Sequence, residues 1–147
     1  LRQCEALPKD PVGARYKIRL DKLRVISDGC DGLIAPSPEV YYDFDLHTPS
    51  GTSNFAALSS GSAVTVAEGG DLSIGVERFV SLRGSETMRV TGRAWDYDSA
   101  SLDEVIGSWD LSWGWGTSNG QRYFTRSGNG CSIRLYVTIT KMEDLYD

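Results

Sequence analysis

The stretch EVYYDFDLHT, residues 39–48, sets Val40, Tyr42, Phe44 and Leu46 on one side of an extended chain and Glu39, Tyr41, Asp43, Asp45 and His47 on the other. An apolar period of two suits a strand with one buried face, whereas an amphipathic helix needs apolar residues three and four apart. The same period returns elsewhere. In YKIRLDKLRVI, Tyr16, Ile18 and Leu20 alternate with polar neighbours and the phase then slips to Leu23 and Val25, which reads as a long strand with a bulge near Asp21-Lys22. In TMRVTGRAW, Met88, Val90, Gly92 and Ala94 point inward and Arg89, Thr91 and Arg93 outward. VIGSWDLSW reads as a further strand. RYFTRSGNGCSIRLYVTITK reads as a closing hairpin around Ser127-Gly128-Asn129-Gly130, with Ile133, Leu135, Val137 and Ile139 on its buried face.

Between these segments lie turn-rich connections. SDGCDGLIAPSP is a Gly, Pro, Asp and Ser loop, and SGTSNFAALSSGS reads as a long polar connection. AVTVAE and DLSIGVERFVSL read as two strands joined through a hairpin turn at Glu68-Gly69-Gly70-Asp71. No helix is expected beyond a short turn in FAALSS or at the C-terminus. Seven or eight strands at spacings of roughly ten residues predict an all-β, antiparallel β-sandwich. Residues 1–14, LRQCEALPKDPVGA, have two prolines and no apolar period, so they read as an extended N-terminal arm before a domain spanning 15–147.

A chain of 147 residues suits one domain with a real core. Its formal charge of −5 and the lack of a basic cluster argue against nucleic acid as a partner. An acidic surface also repels anionic lipid, so membrane docking requires a bridging cation or exposed apolar loop tips. No apolar run approaches the roughly 18–20 residues of a membrane-spanning helix, and no leader-like segment opens the sequence. A start at Leu1-Arg2 fits a processed or an excised chain. Cys4, Cys30 and Cys131 lie far apart without CxxC spacing, which suggests neither zinc nor a redox motif. Three free thiols, or one disulfide and a spare thiol, both accommodate them. If the final hairpin turns at the same end as the 27–37 loop, a Cys30–Cys131 bridge would pin that loop and leave Cys4 free or open to another subunit.

The sharpest local feature is WDYDSASLDEVIG, residues 95–107, with Asp96, Asp98, Asp103 and Glu104 crowded together. A second acidic loop carries Asp28 and Asp31, each followed by a glycine, Gly29 and Gly32. In an antiparallel sandwich both loops follow odd-numbered strands, so both emerge at one end and their carboxylates can meet. A hard cation such as Ca²⁺, which takes six to eight oxygens at roughly 2.3–2.6 Å, would offset their repulsion. A solvated loop whose charges water screens is the plainer alternative. Asp96 and Asp98 as a glycosidase pair lack surrounding cleft-building insertions. An EF-hand fails on Ala100 and Ser101, which stand where a ligand and a glycine are required. His47, the lone histidine, lies on a polar face without a catalytic partner in view. Among the tryptophans, Trp109 and Trp113 alternate with Leu111 as core residues, and Trp115 among glycines is the one expected at the surface.

Asp96-Tyr97-Asp98, then Glu104-Val105-Ile106-Gly107, resembles the third calcium-binding loop of the C2 domains. The 28–37 loop followed by Pro38-Glu39-Val40-Tyr41 looks like their first loop, and the likeness covers roughly residues 15 to 140 in strand order. It departs from the family at Ser37, where calcium-binding members usually carry Asp, and at Glu104, which replaces the commoner Asp. The resemblance implies a calcium- and lipid-binding β-sandwich holding one ion with Asp28, Asp31, Asp96, Asp98, Asp103 and Glu104. The expectation is therefore a non-enzymatic binding module, secreted or at the cell surface, that docks to a membrane or protein partner with Ca²⁺. The competing reading is a structural subunit that self-assembles into a homo-oligomer, filament or surface layer, in which an ion only stabilises.

Overall fold

The computed structural model describes residues 9–31, 37–99 and 101–147, with the Asp31 side chain left aside. Nine strands run through them: β1 (Gly13–Asp28), β2 (Glu39–Thr48), β3 (Gly51–Leu58), β4 (Val64–Thr65), β5 (Asp71–Arg83), β6 (Thr87–Asp96), β7 (Glu104–Gly114), β8 (Gly120–Gly128) and β9 (Cys131–Leu145). The first sheet has the order β5-β1-β9-β8 and the second the order β3-β2-β6-β7, with β4 added on β2. Every pairing is antiparallel. The two sheets face each other as an antiparallel β-sandwich.

The inward faces are the ones that the alternating segments set aside. Ile18, Leu20 and Leu23 from β1, Phe44 from β2, Met88 and Val90 from β6, and Ile133 and Ile139 from β9 are all at 0–1% exposure. Burying each such side chain contributes about 1.5–3 kcal/mol, so these two layers carry the fold. The phase slip in β1 is a bulge where the register shifts between Leu20 and Lys22. It keeps Leu23 and Val25 on the core side after the interruption. Trp109 is buried against Phe44, and its indole Nε1 donates to the Phe124 carbonyl at 2.9 Å, tying β7 to β8. Trp113 packs at the margin of the core and Trp115 is exposed.

Two sequence expectations are corrected. The polar stretch SGTSNFAALSSGS is not a simple connection. It forms the edge strand β3 and then a short 3₁₀ turn at Ser60–Ser62. An edge strand that buries only Phe55 and Ala56 shows no alternation, so its pattern is that of a loop. This addition takes the described strands to nine, above the seven or eight expected. The Glu68-Gly69-Gly70-Asp71 turn also does not close a hairpin, because β4 pairs with β2 and β5 with β1. It carries the chain between sheets, docked on β1 by Gly69 N–H to the Val25 carbonyl at 2.7 Å and Val25 N–H to the Gly70 carbonyl at 3.1 Å.

The closing hairpin is tighter than its composition alone requires. Gly128 pairs with Cys131, which leaves Asn129 (φ 52°) and Gly130 (φ 89°) as a two-residue turn. Two successive left-handed residues match the twist of the flanking strands, and Asn-Gly is the pair that adopts them most readily.

Candidate functional site

The end of β1, the end of β6 and the β8–β9 turn meet at one end of the sandwich. Asp28 pairs with Cys131, and a disulfide joins Cys131 to Cys30 in the 3₁₀ turn Gly29–Asp31. On the other flank of the turn, Asn129 Nδ2 donates to the Val105 carbonyl at 2.7 Å. The turn thus bridges the loop after β1 to the start of β7, immediately after Asp103 and Glu104. The two acidic loops therefore occupy the same end, as strand direction requires.

Within the 97–103 loop the acids have distinct surroundings. Asp96 is the one buried charged side chain among the described residues, at 6% exposure. Its Oδ1 accepts from the Glu39 backbone N–H at 3.0 Å, and the Tyr97 N–H donates to the Glu39 carbonyl at 2.8 Å. These bonds lock the exit of β6 to the entry of β2. Asp103 accepts the Tyr41 hydroxyl at Oδ2 (2.5 Å) and the Asp98 N–H at Oδ1 (2.9 Å). Asp98 Oδ2 accepts the Ser101 hydroxyl at 2.7 Å. Burial first, and then the hydrogen bond to Asp103, pushes the Tyr41 hydroxyl up to about 12. The Tyr41 ring stacks on Trp95 with centroids 5.1 Å apart and planes 11° from parallel.

Asp28 is half-buried and Glu104 exposed, and among the described residues neither carboxylate engages a donor. Asp31 follows Cys30 in the same 3₁₀ turn, while its side chain and Gly32 lie outside the described residues, as does Cys4. The topology brings Asp28, Asp96, Asp98, Asp103 and Glu104 to one end. It does not gather three of them at one point: among the described residues, no three His, Cys, Asp or Glu side chains are placed to hold a metal. Beside Asp103, Leu102 is 89% exposed.

Sequence reasoning did not single out Tyr41, Asn129 or Leu102. Tyr41 lay on the polar face of its strand, which was the available signal that it contacts a loop and not the core. His47 sits elsewhere on the second sheet, with Nε2 2.8 Å from Thr91 Oγ1 and Nδ1 2.9 Å from Thr52 Oγ1.

No family model matches the chain, and neither does any curated protein. Solved structures are similar at low identity. The first C2 domain (domain A) of plant Extended Synaptotagmin 1 is similar at 11% identity and a TM-score of 0.48, over 95% of this chain and 100% of that one. The paired C2 domains, A and B, of Extended-Synaptotagmin 2 match at 10% identity and a TM-score of 0.44, over 96% of this chain and 45% of theirs. Human GIVD cytosolic phospholipase A2, solved with methyl gamma-linolenyl fluorophosphonate, matches at 11% identity and a TM-score of 0.48. There the match covers 89% of this chain but 17% of the phospholipase. By its two antiparallel sheets, of order β5-β1-β9-β8 and β3-β2-β6-β7, the chain is an antiparallel β-sandwich.

Proposed function

We propose that the chain is a non-catalytic binding module, secreted or displayed at a cell surface, whose loop end docks to an anionic membrane with Ca²⁺. The observation that carries this reading is that two acidic loops emerge at one end of the sandwich, one of them carrying the exposed Leu102. An apolar tip can enter the lipid interface, but its acidic surroundings repel anionic headgroups until a cation neutralises them.

The donor set fits a hard cation in chemistry, since it offers carboxylate oxygens and no thiolate or imidazole. Asp96 is held by the Glu39 N–H through one oxygen only, which leaves the other for an ion. Among the described residues Asp28 and Glu104 have no competing donor, and Asp31 belongs to the same turn as Cys30. These four would hold the ion, with Asp98 assisting. Asp103 spends both oxygens on Tyr41 and Asp98, so its part is to brace the loop. The ion would supply positive charge at an end that is otherwise acidic.

The Cys30–Cys131 disulfide supports an oxidising compartment. A non-catalytic role accords with His47, whose ring nitrogens are both engaged by threonine hydroxyls. Cosedimentation with phosphatidylserine vesicles tests the reading. Binding in calcium and release by chelator are expected, with Leu102→Ser binding several-fold more weakly at unchanged melting temperature. Equal sedimentation in calcium and in chelator would contradict it.

A further inference from the structure

The outer face of the first sheet carries a run of cations, among them Arg15, Lys17, Arg19, Lys22 and Arg24 on β1, and Arg134 on β9. This concentration stands out in a chain of net charge −5. Those on β1 each have a carboxylate in reach: Arg15 with Glu143 (4.0 Å), Lys17 with Glu77 (3.9 Å), Arg19 with Asp21 (3.1 Å), and both Lys22 (3.0 Å) and Arg24 (2.7 Å) with Asp71. Arg134 has no such acid among the described residues. Its guanidinium lies over the Tyr123 ring at 4.3 Å, and its Nε donates to Thr125 Oγ1 at 2.9 Å. Its Nη1 sits 3.5 Å from the Tyr136 hydroxyl, to which Arg24 Nη1 also donates at 3.1 Å. Lys22 Nζ stands 4.9 Å from the Tyr136 ring centroid. Three cations therefore converge on one tyrosine with the single carboxylate of Asp71 to balance them.

We infer that Arg134, Arg24 and Lys22 around Tyr136 form an oxyanion site, the anchor of a docking face for a linear sulfated polysaccharide. Both guanidinium groups aim Nη1 at the Tyr136 hydroxyl. A tetrahedral sulfate accepts from two guanidinium groups at once, in exchange for the Asp71 carboxylate that Arg24 holds through Nε and Nη2. Tyr123, 58% exposed beside the anchor, offers an apolar surface to a sugar ring. From the anchor the β1 cations pass across the bulge to Arg19 and then continue to Lys17 and Arg15 at two-residue steps, about 6.7 Å apart. Their ion pairs are solvent-exposed, worth little, and readily exchanged for an outside anion. Shape selects the occupant. The cationic row is one strand wide, and β5 flanks it with Asp71 and Glu77. A flat anionic membrane would press on those acids, whereas a single narrow chain can follow the row.

The Arg24–Arg134 pair lies on the β1–β9 ladder four residues before Asp28, so the test is run in chelator, where the proposed calcium-linked docking is silent. Isothermal titration with a heparin oligosaccharide should show saturable binding that weakens steeply with salt. Arg134→Gln should weaken it about tenfold at unchanged melting temperature, and Arg93→Gln, on the other sheet, should leave it unaltered. Free sulfate should compete only at much higher concentration. Absence of heparin binding, equal loss from both variants, or tighter Arg134-dependent binding of phosphatidylserine vesicles or single-stranded DNA would overturn the proposal.

Discussion

The Tyr41 hydroxyl donates to Asp103 at 2.5 Å across 62 positions of sequence, and the other oxygen of the same carboxylate accepts the Asp98 N–H at 2.9 Å. One side chain therefore holds the 97–103 loop closed and fastens it to β2. Tyr41→Phe removes the fastening while keeping the ring on Trp95. It should cost about 1–2 kcal/mol in chemical denaturation and speed amide exchange at Asp98. The bond also has a pH signature. Folding raises the Tyr41 pKa to about 12 from an ordinary 10.0, so its contribution is complete below pH 10 and is lost as pH rises through 12. Absorbance titration of the phenolate, wild type against Tyr41→Phe, reads this directly.

At the acid end of the scale, Asp71 carries the complementary signal. The Arg24 hydrogen bond, with help from Lys22, lowers its pKa to about 2 from 3.8. A depressed folded pKa means that the stabilisation is present above about pH 4 and is lost as pH falls through 2. Because the pair is solvent-exposed, the effect should be small and weakened by salt. Asp71→Asn should flatten the stability curve between pH 4 and 2, and an unchanged slope there would contradict the pairing.

The Cys30–Cys131 bridge closes 101 residues of sequence. Replacing both cysteines with serine should lower stability by about 2–5 kcal/mol, chiefly by freeing the unfolded chain. Denaturation of the double variant beside wild type measures this. Loosening should concentrate at residues 28–31 and 129–131 in hydrogen exchange, since the bridge fastens those two segments to each other.

Gly92 lies on β6 where a Cβ would meet the Phe44 ring and, at 2.5 Å, the Asp43 carbonyl. Gly92→Ala should therefore destabilise by about 1–3 kcal/mol by forcing β2 and β6 apart, and Gly61→Ala, which has open space, should not. Thermal melts of the two variants separate crowding from any general effect of losing a glycine.

The strands that could be read from sequence are those that bury one clean face. Val40, Tyr42, Phe44 and Leu46 in β2, and Ile133, Leu135, Val137 and Ile139 in β9, all point into the core, because alternation in sequence is alternation in space. β3 could not be read this way, since an edge strand holding only Phe55 and Ala56 inside has no period to detect. The Gly69-Gly70 turn was misassigned as a hairpin because a glycine-rich reversal has the same composition whether it stays in one sheet or passes to the other. The acidic loops share one end as expected, but not by the odd-numbered count: the 97–103 loop follows β6, which ends there because it runs antiparallel to β2. The commitments of Asp103 to Tyr41 and of Asp96 to the Glu39 N–H depend on the path of the loop backbone, which no spacing rule specifies. Leu102 was legible as an apolar residue between acids, but its exposure follows from the loop turning outward.

Reception of Ca²⁺ by the loop-end carboxylates is the central claim. Calorimetric titration of the purified chain with calcium chloride tests it, beside a variant carrying Asp28→Asn and Glu104→Gln, whose side chains make no bond that the fold needs. Saturable binding is predicted, with a dissociation constant on the order of 10⁻⁴–10⁻³ M as in extracellular calcium modules, and so is its loss in the double variant. No heat of binding, together with the same melting temperature in excess calcium and in excess chelator, would contradict it.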